Sequence, residues 1–254
     1  MFNRALLLLF ENATDSGNSQ VALSVDTTWY LTEDGDLYGC GRGGSGQQGS
    51  GDTSSVKTFT KRASGVSQVA CCDDTTWYLT VDGDLYGCGR GGAGQQGSGD
   101  TSSVKTFTKR ASGVSQVALS LDTTWYLTED GDLYGCGAGS YGQQANDGSA
   151  AKTFTKRASG VSQVACSSST TWYLTVDGDL YGCGRGYSGQ QGSGGTDDVK
   201  TFTKRASGVS QVACSSSTTW YLTADGDLYG CGIGSYGQQG NSSTDNVPTF
   251  TQRI

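Results

Sequence analysis

The chain has 254 residues, 34% of them hydrophobic and 16% charged, with a formal net charge of −7. An acidic chain without a basic stripe lacks the electrostatic footprint of a nucleic-acid binder. Histidine is absent altogether, which removes the commonest general base and the commonest zinc ligand; most hydrolase and zinc-site readings go with it, and no cofactor is called for.

The N-terminal "MFNRALLLLFEN" holds one apolar run, Ala5, Leu6, Leu7, Leu8, Leu9 and Phe10. Six residues are fewer than a signal-peptide core needs and far fewer than a membrane span. The run reads as a strand, or as the remnant of a trimmed segment, within an extension covering residues 1–18. Residues 19–254 are repetitive. Tryptophans fall at 29, 77, 125, 172 and 220, in steps of 48, 48, 47 and 48. A period near 48 made of strand-like pieces indicates a propeller or solenoid.

Within the second unit, "SQVAC" (67–71), "TWYLT" (76–80), "DLYGCG" (84–89) and "KTFTKR" (105–110) are short runs rich in Val, Thr, Tyr, Trp and Phe, bounded by Gly, Ser and Asp. Four such strands per unit and no sustained helical period predict an all-β chain, a β-propeller of five four-stranded blades. Asp82-Gly83 signals a tight hairpin, and a type I′ turn there pairs Thr80 with Leu85, Tyr78 with Gly87 and Trp77 with Cys88. On that count indole and sulfur share one face. Trp29, Trp77, Trp125, Trp172 and Trp220 are then the blade-packing residues.

From Val69 the unit reads Val-Ala, the turn at Gly83, Leu-Tyr-Gly-Cys-Gly, then Gly94-Gln95-Gln96-Gly97-Ser98-Gly99. This spacing, found in all five units, resembles the repeat of the regulator of chromosome condensation family. The resemblance implies a propeller of four-stranded blades, most often seven, serving as an interaction platform. Several positions depart from that repeat. Cys40, Cys88, Cys136, Cys183 and Cys231 stand where the family has tryptophan, Thr75 where it has histidine, and Gln95-Gln96-Gly97 where it has Gln-Leu-Gly. Five units imply a smaller ring or an incomplete one. Nothing in the chain matches the surface by which the founding member acts on a small GTPase.

Nine cysteines recurring at fixed places in a Gly/Ser/Thr-rich chain suggest an oxidising compartment, and sequons at Asn12 and Asn241 are compatible with secretion. Extracellular or cell-surface localisation is the expectation. Cys71/Cys88, Cys166/Cys183 and Cys214/Cys231 form three pairs of constant spacing, whereas Leu23 and Leu119 replace the first member in units one and three. Two readings stay open: small buried hydrophobes filling space between blades, or three disulfides stapling neighbouring strands. No metal site is expected, because the spacing is not C-x-x-C.

Paired aspartates such as Asp82 and Asp84 read as turn residues rather than a calcium loop. Basic pairs such as Lys109-Arg110 read as a solvated or salt-bridged face, with a repeated anion site as the alternative. The glycine-rich 89–99 segment lacks the strand–loop–helix context of a phosphate loop, and the Ser-rich "CSSSTTW" runs lack a base to activate a nucleophile.

Counting strands from "SQVA" to "TFTKR" leaves Ala5–Phe10 surplus; counting from "TFTKR" to "YGCG" leaves a C-terminal strand instead. A surplus apolar strand invites pairing with another sheet edge. The leading expectation is therefore a non-enzymatic extracellular structural protein that assembles with itself, into filaments if terminal strands exchange head to tail. The alternative is a multivalent propeller binding carbohydrate or protein, of lectin or inhibitor type, with Tyr141, Tyr187 and Tyr236 offered for stacking on glycans. Neither nucleic acid nor a membrane span belongs to either reading.

Overall fold

A computed structural model describes residues 19–254. Every regular element among them is a β-strand, and the strands form five four-stranded sheets, each built from four consecutive strands. The first holds β1 (Gln20–Leu23), β2 (Thr27–Leu31), β3 (Leu37–Gly41) and β4 (Val56–Ala63); the second β5 (Val66–Cys72), β6 (Thr75–Thr80), β7 (Leu85–Gly89) and β8 (Val104–Ala111). The third holds β9 (Val114–Leu119), β10 (Thr123–Thr128), β11 (Leu133–Gly137) and β12 (Ala151–Ala158). The fourth holds β13 (Val161–Cys166), β14 (Thr170–Thr175), β15 (Leu180–Gly184) and β16 (Val199–Ala206); the fifth β17 (Val209–Cys214), β18 (Thr218–Thr223), β19 (Leu228–Gly232) and β20 (Val247–Gln252). This is the β-propeller blade, five times over. Each sheet opens on a "QVA" run and closes on the "TF" run of the same repeat, which settles the two strand counts in favour of the first. The Ala5–Phe10 strand and Asn12 lie outside the described residues.

Two compact units divide the chain, with the boundary passing through the third sheet. In the first unit, Trp29 is fully buried among Ala22, Leu31, Leu37, Val66, Val69 and Tyr78. The edge of Phe107, on the last strand of the following repeat, meets the Trp29 ring at 5.7 Å between centroids. Phe154 meets Trp77 in the same way at 5.8 Å. In the second unit Phe250 meets Trp172 at 5.7 Å, beside Leu174, Leu180, Val209 and Val212. Trp125 is also fully buried, and Trp220 is half-buried. Large aromatics meeting edge to face add specific attraction to the area they remove from water.

The hairpin register differs by one from the type I′ expectation. Gly83 donates its backbone N–H to the Thr80 carbonyl at 3.0 Å, and Thr80 N–H reaches the Asp84 carbonyl at 3.0 Å. Gly83 has φ +76°, whereas Asp82 is not in the left-handed region. The loop is thus Val81-Asp82-Gly83, a type I turn closed by a glycine bulge. The Thr80 hydroxyl accepts the Asp84 amide at 3.0 Å and fastens it. Leu79 consequently pairs with Leu85, Tyr78 with Tyr86, Trp77 with Gly87 and Thr76 with Cys88.

One step of register moves a side chain to the other face of the sheet. Trp77 and Cys88 therefore lie on opposite faces, not on one. The indole instead covers Gly87: a Cβ built there would stand 2.6 Å from Cε3 and Cζ3 of the Trp77 ring. The glycine of "LYGCG" is the floor on which the tryptophan lies.

Candidate interaction surface

Each sheet has two ends. The Thr80–Asp84 hairpin and its counterparts occupy one; at the other, the turn before the Trp strand meets the glycine-rich loop after "YGCG". Main-chain bonds join that second pair, with Arg42 N–H on the Asp26 carbonyl and Arg90 N–H on the Asp74 carbonyl, each at 2.9 Å.

Buried glutamines shape these loops. The first glutamine folds back on its own loop: the Gln95 Oε1 accepts the Ala93 amide at 2.8 Å, and Gln190 Oε1 the Ser188 amide at 2.8 Å. Its amide nitrogen then reaches the next repeat, from Gln47 to the Asp74 carboxylate at 2.9 Å and from Gln190 to the Ser216 carbonyl at 3.1 Å. The second glutamine returns to its own strand, Gln96 Nε2 donating to the Cys88 carbonyl at 2.9 Å and the Arg90 carbonyl at 3.3 Å. These bonds offset part of the cost of burying the amides, although the Oε1 atoms of Gln48, Gln96, Gln191 and Gln239 stay buried without a hydrogen-bond partner among the described residues. These residues were legible in sequence only as an invariant Gln-Gln; nothing in a polar pair announces burial.

The cysteine pairs are not brought together. Cys71 pairs with Thr76, and Thr76 with Cys88, so the two cysteines stand on non-adjacent strands with β6 between them. Cys166/Cys183 and Cys214/Cys231 are parted by Thr171 and Thr219 in the same way. Two strand spacings are roughly 9–10 Å, beyond the Cα separation of about 4.4–6.8 Å that a disulfide bridges. All nine cysteines are free thiols, and of the two open readings this geometry fits the small buried hydrophobe and not the three disulfides. Cys88 instead donates its S–H to the Gln47 carbonyl at 3.4 Å, and Cys231 to that of Gln190 at 3.4 Å. Burial pushes the thiols of Cys71, Cys72, Cys214 and Cys231 up to about 12, and those of Cys88, Cys136 and Cys183 well above their usual range. Such sulfurs are inert as nucleophiles near neutrality.

At the hairpin end the lysines of the "TKR" runs are engaged. Lys61, Lys109, Lys156 and Lys204 each reach the second turn aspartate (Asp36, Asp84, Asp132, Asp179) at 2.7 Å. Hydrogen bonds from these lysines and from serines hold the four carboxyls below their ordinary range. A salt-bridged face, and not a free anion site, is what the repeat makes there. Asn241 lies in the last loop, its Oδ1 accepting the Ser243 amide at 3.2 Å.

The repeats differ at more positions at the loop end than at the hairpin end, where one residue changes (Glu33, Val81, Glu129, Val176 and Ala224). In the first unit it is an arginine–aspartate network: Arg42 contacts Asp26 at 3.3 Å and Asp74 at 3.5 Å, and Arg90 contacts Asp122 at 3.6 Å. In the second unit the aspartate positions are Ser169 and Ser217, while an arginine remains at Arg185. Its guanidinium lies 5.0 Å from the ring centre of Tyr141 and 5.4 Å from that of Tyr187. Asp197, Asp198 and Lys200 complete an open cleft of about 510 Å³. Tyr187 is 72% exposed; it occupies the place of Gly44 and Ser140 rather than that of Tyr141, so the two tyrosines approach Arg185 from different loop positions. Tyr236, grouped with them by sequence, is 91% exposed on the last loop.

Residues 114–143, 161–190 and 209–238 match the regulator of chromosome condensation (RCC1) repeat. Among solved structures, human WBSCR16 aligns with a TM-score of 0.75 at 24% identity, covering 92% of this chain and 66% of that one. Prp20p from Saccharomyces cerevisiae, described with its binding to Gsp1p and histones, aligns at 0.74 and 21% identity over 92% of this chain and 62% of its own. Yeast RCC1 (Prp20) bound to Kap60 gives 0.75 and 21%, with 92% and 60% covered. The chain thus spans slightly under two thirds of these proteins. No curated protein matches its sequence. These findings overturn the expectation of an extracellular structural protein that assembles into filaments: the repeat and its solved counterparts are those of propellers such as Prp20p, described by its binding to other proteins.

Proposed function

From a chain built on repeats of the regulator of chromosome condensation type, we propose a non-catalytic propeller that binds a protein partner through the loop ends of its blades. One observation carries this reading. Most residues that recur across the repeats are consumed by packing or pairing: the indoles on glycine, the loop glutamines other than Gln238 and most of the thiols inside, and the lysines of the "TKR" runs in ion pairs. Residues that change from repeat to repeat cluster in the turns before the tryptophan strand and the loops after "YGCG" (Arg42, Ala138 and Ile233; Asp26 and Ser169; Ser45, Tyr141 and Tyr187), against one changing position per hairpin (Glu33, Val81, Glu129, Val176 and Ala224). Variation on an otherwise uniform scaffold gives the loop end of each blade its own surface, and binding residues are typically presented on loops held by rigid elements. That the same fold serves Gsp1p, histones and Kap60 in Prp20 supports a protein as the class of partner. The buried thiols supply no activated nucleophile and the chain has no histidine to serve as a base, in keeping with a binding role.

Cross-linking mass spectrometry of the full chain in its native extract tests the proposal. Cross-links from partners are expected on Lys105, Lys152 and Lys200, which follow the long loops, and not on Lys61, Lys109, Lys156 and Lys204 at the hairpin end. A partner footprint confined to the hairpin end refutes it.

A further inference from the structure

Arginine occupies the same loop position in three repeats, as Arg42, Arg90 and Arg185. In the first two the chain itself supplies the carboxylates, from Asp26, Asp74 and Asp122. In the fourth repeat serines stand at both matching places, Ser169 and Ser217, and among the described residues no carboxylate lies within ion-pair distance of Arg185. The guanidinium is nevertheless held: Tyr141 and Tyr187 lie under and beside it, and an arginine stacked on aromatic faces keeps its planar fork of donors oriented. Asp198 Oδ1 accepts the Gly186 amide at 2.9 Å, which ties that side chain to the loop backbone.

We infer that the Arg185 cleft receives a carboxylate from an acidic segment of the protein partner, in the place that Asp26, Asp74 and Asp122 fill in the other repeats. This rests on the protein-binding role proposed above and names the chemistry of one contact within it. The matching loop positions select the occupant, since Arg42 and Arg90 each take a carboxylate there. In the cleft two cations, Arg185 and Lys200, face two carboxylates, Asp197 and Asp198, which leaves no excess positive charge to hold a phosphate dianion. Arginine beside exposed tyrosines is also the composition in which binding energy concentrates at protein interfaces.

The test is a titration of the 15N-labelled full chain with blocked octapeptides of alternating glycine and glutamate, glutamine or phosphoserine, following the Arg185 Nε–H resonance. Saturable binding of the glutamate peptide is expected, with the glutamine peptide about tenfold weaker or silent, since a charge-assisted bond of roughly 1.4 kcal/mol corresponds to tenfold. Arg185→Gln and Tyr187→Ala are expected to weaken it by a similar factor, and Lys109→Gln at the hairpin end to leave it unchanged. Rebuilding the internal carboxylates with the double substitution Ser169→Asp and Ser217→Asp is expected to abolish binding while the circular dichroism spectrum and Tm stay as in the parent. Equal binding of the glutamine peptide, unchanged binding in Arg185→Gln or in the double variant, or tighter binding of the phosphoserine peptide overturns the inference. If cross-links nonetheless map to the loop end, the broader reading survives; if none do, both fall.

Discussion

Replacing Gly87 by alanine adds one methyl group at the point where the Trp77 ring lies on the strand. The added Cβ would stand 2.6 Å from two ring carbons, against an optimal carbon–carbon separation of about 3.5–4.0 Å. The indole must therefore retreat by about 1 Å. Its freedom to move is limited, because Phe154 packs against the ring edge to face at 5.8 Å between centroids. Gly87 does not have a left-handed φ, so the cost is steric, not conformational. Overpacking of this kind costs about 1–3 kcal/mol, and a destabilisation within that range is expected. Gly65→Ala is the control, since φ is +68° there and nothing lies within 4 Å of the new methyl; it isolates the backbone penalty, about 1 kcal/mol. Urea unfolding followed by tryptophan fluorescence and circular dichroism measures both. The Gly87→Ala penalty should shrink by more than half when Trp77 is replaced by leucine, because contacting residues are non-additive. A neutral Gly87→Ala, or an unchanged penalty without the indole, refutes the packing argument.

Alkaline pH should destabilise the fold before its tyrosines titrate in the unfolded chain. The buried thiols have folded-state values raised to about 12 from an ordinary 9, so their contribution is fully present below pH 9 and is lost progressively between pH 9 and 12. Each such group takes about 1.4 kcal/mol per pH unit from stability across that window; a flat urea midpoint from pH 8 to 11 contradicts this. Intact mass of the denatured chain should be the same before and after reduction; a gain of about two daltons per bridge restores the disulfide reading. Gln96→Ala strips the Cys88 and Arg90 carbonyls of their donor inside the loop and is expected to cost about 1–3 kcal/mol, again by urea unfolding, whereas a cost near zero refutes the role given to the second glutamine.

Period and strand chemistry were legible from the residues alone. The 48-residue step of the tryptophans, four β-rich runs per step and glycine-bounded turns require four-stranded units with little alternative, because each run is too short to be stable unless it pairs with its neighbours. The turn was harder to read. "Asp-Gly" serves a two-residue loop and a three-residue one equally well, and the hydrogen bonds of Thr80 decide between them. That single step of register then decides that indole and sulfur face opposite ways, that Gly87 is a floor, and that three pairs of cysteines with constant spacing never meet. Spacing along a chain measures which strand a residue occupies, not which face it takes or how many strands lie between. Arg185 shows the same limit in the candidate site. Its two tyrosines sit at different offsets in different repeats, and its missing aspartates are serines nearly fifty residues apart. Only the tertiary structure brings these positions to one guanidinium, because the stacking of repeats converts a distance of one period into a contact.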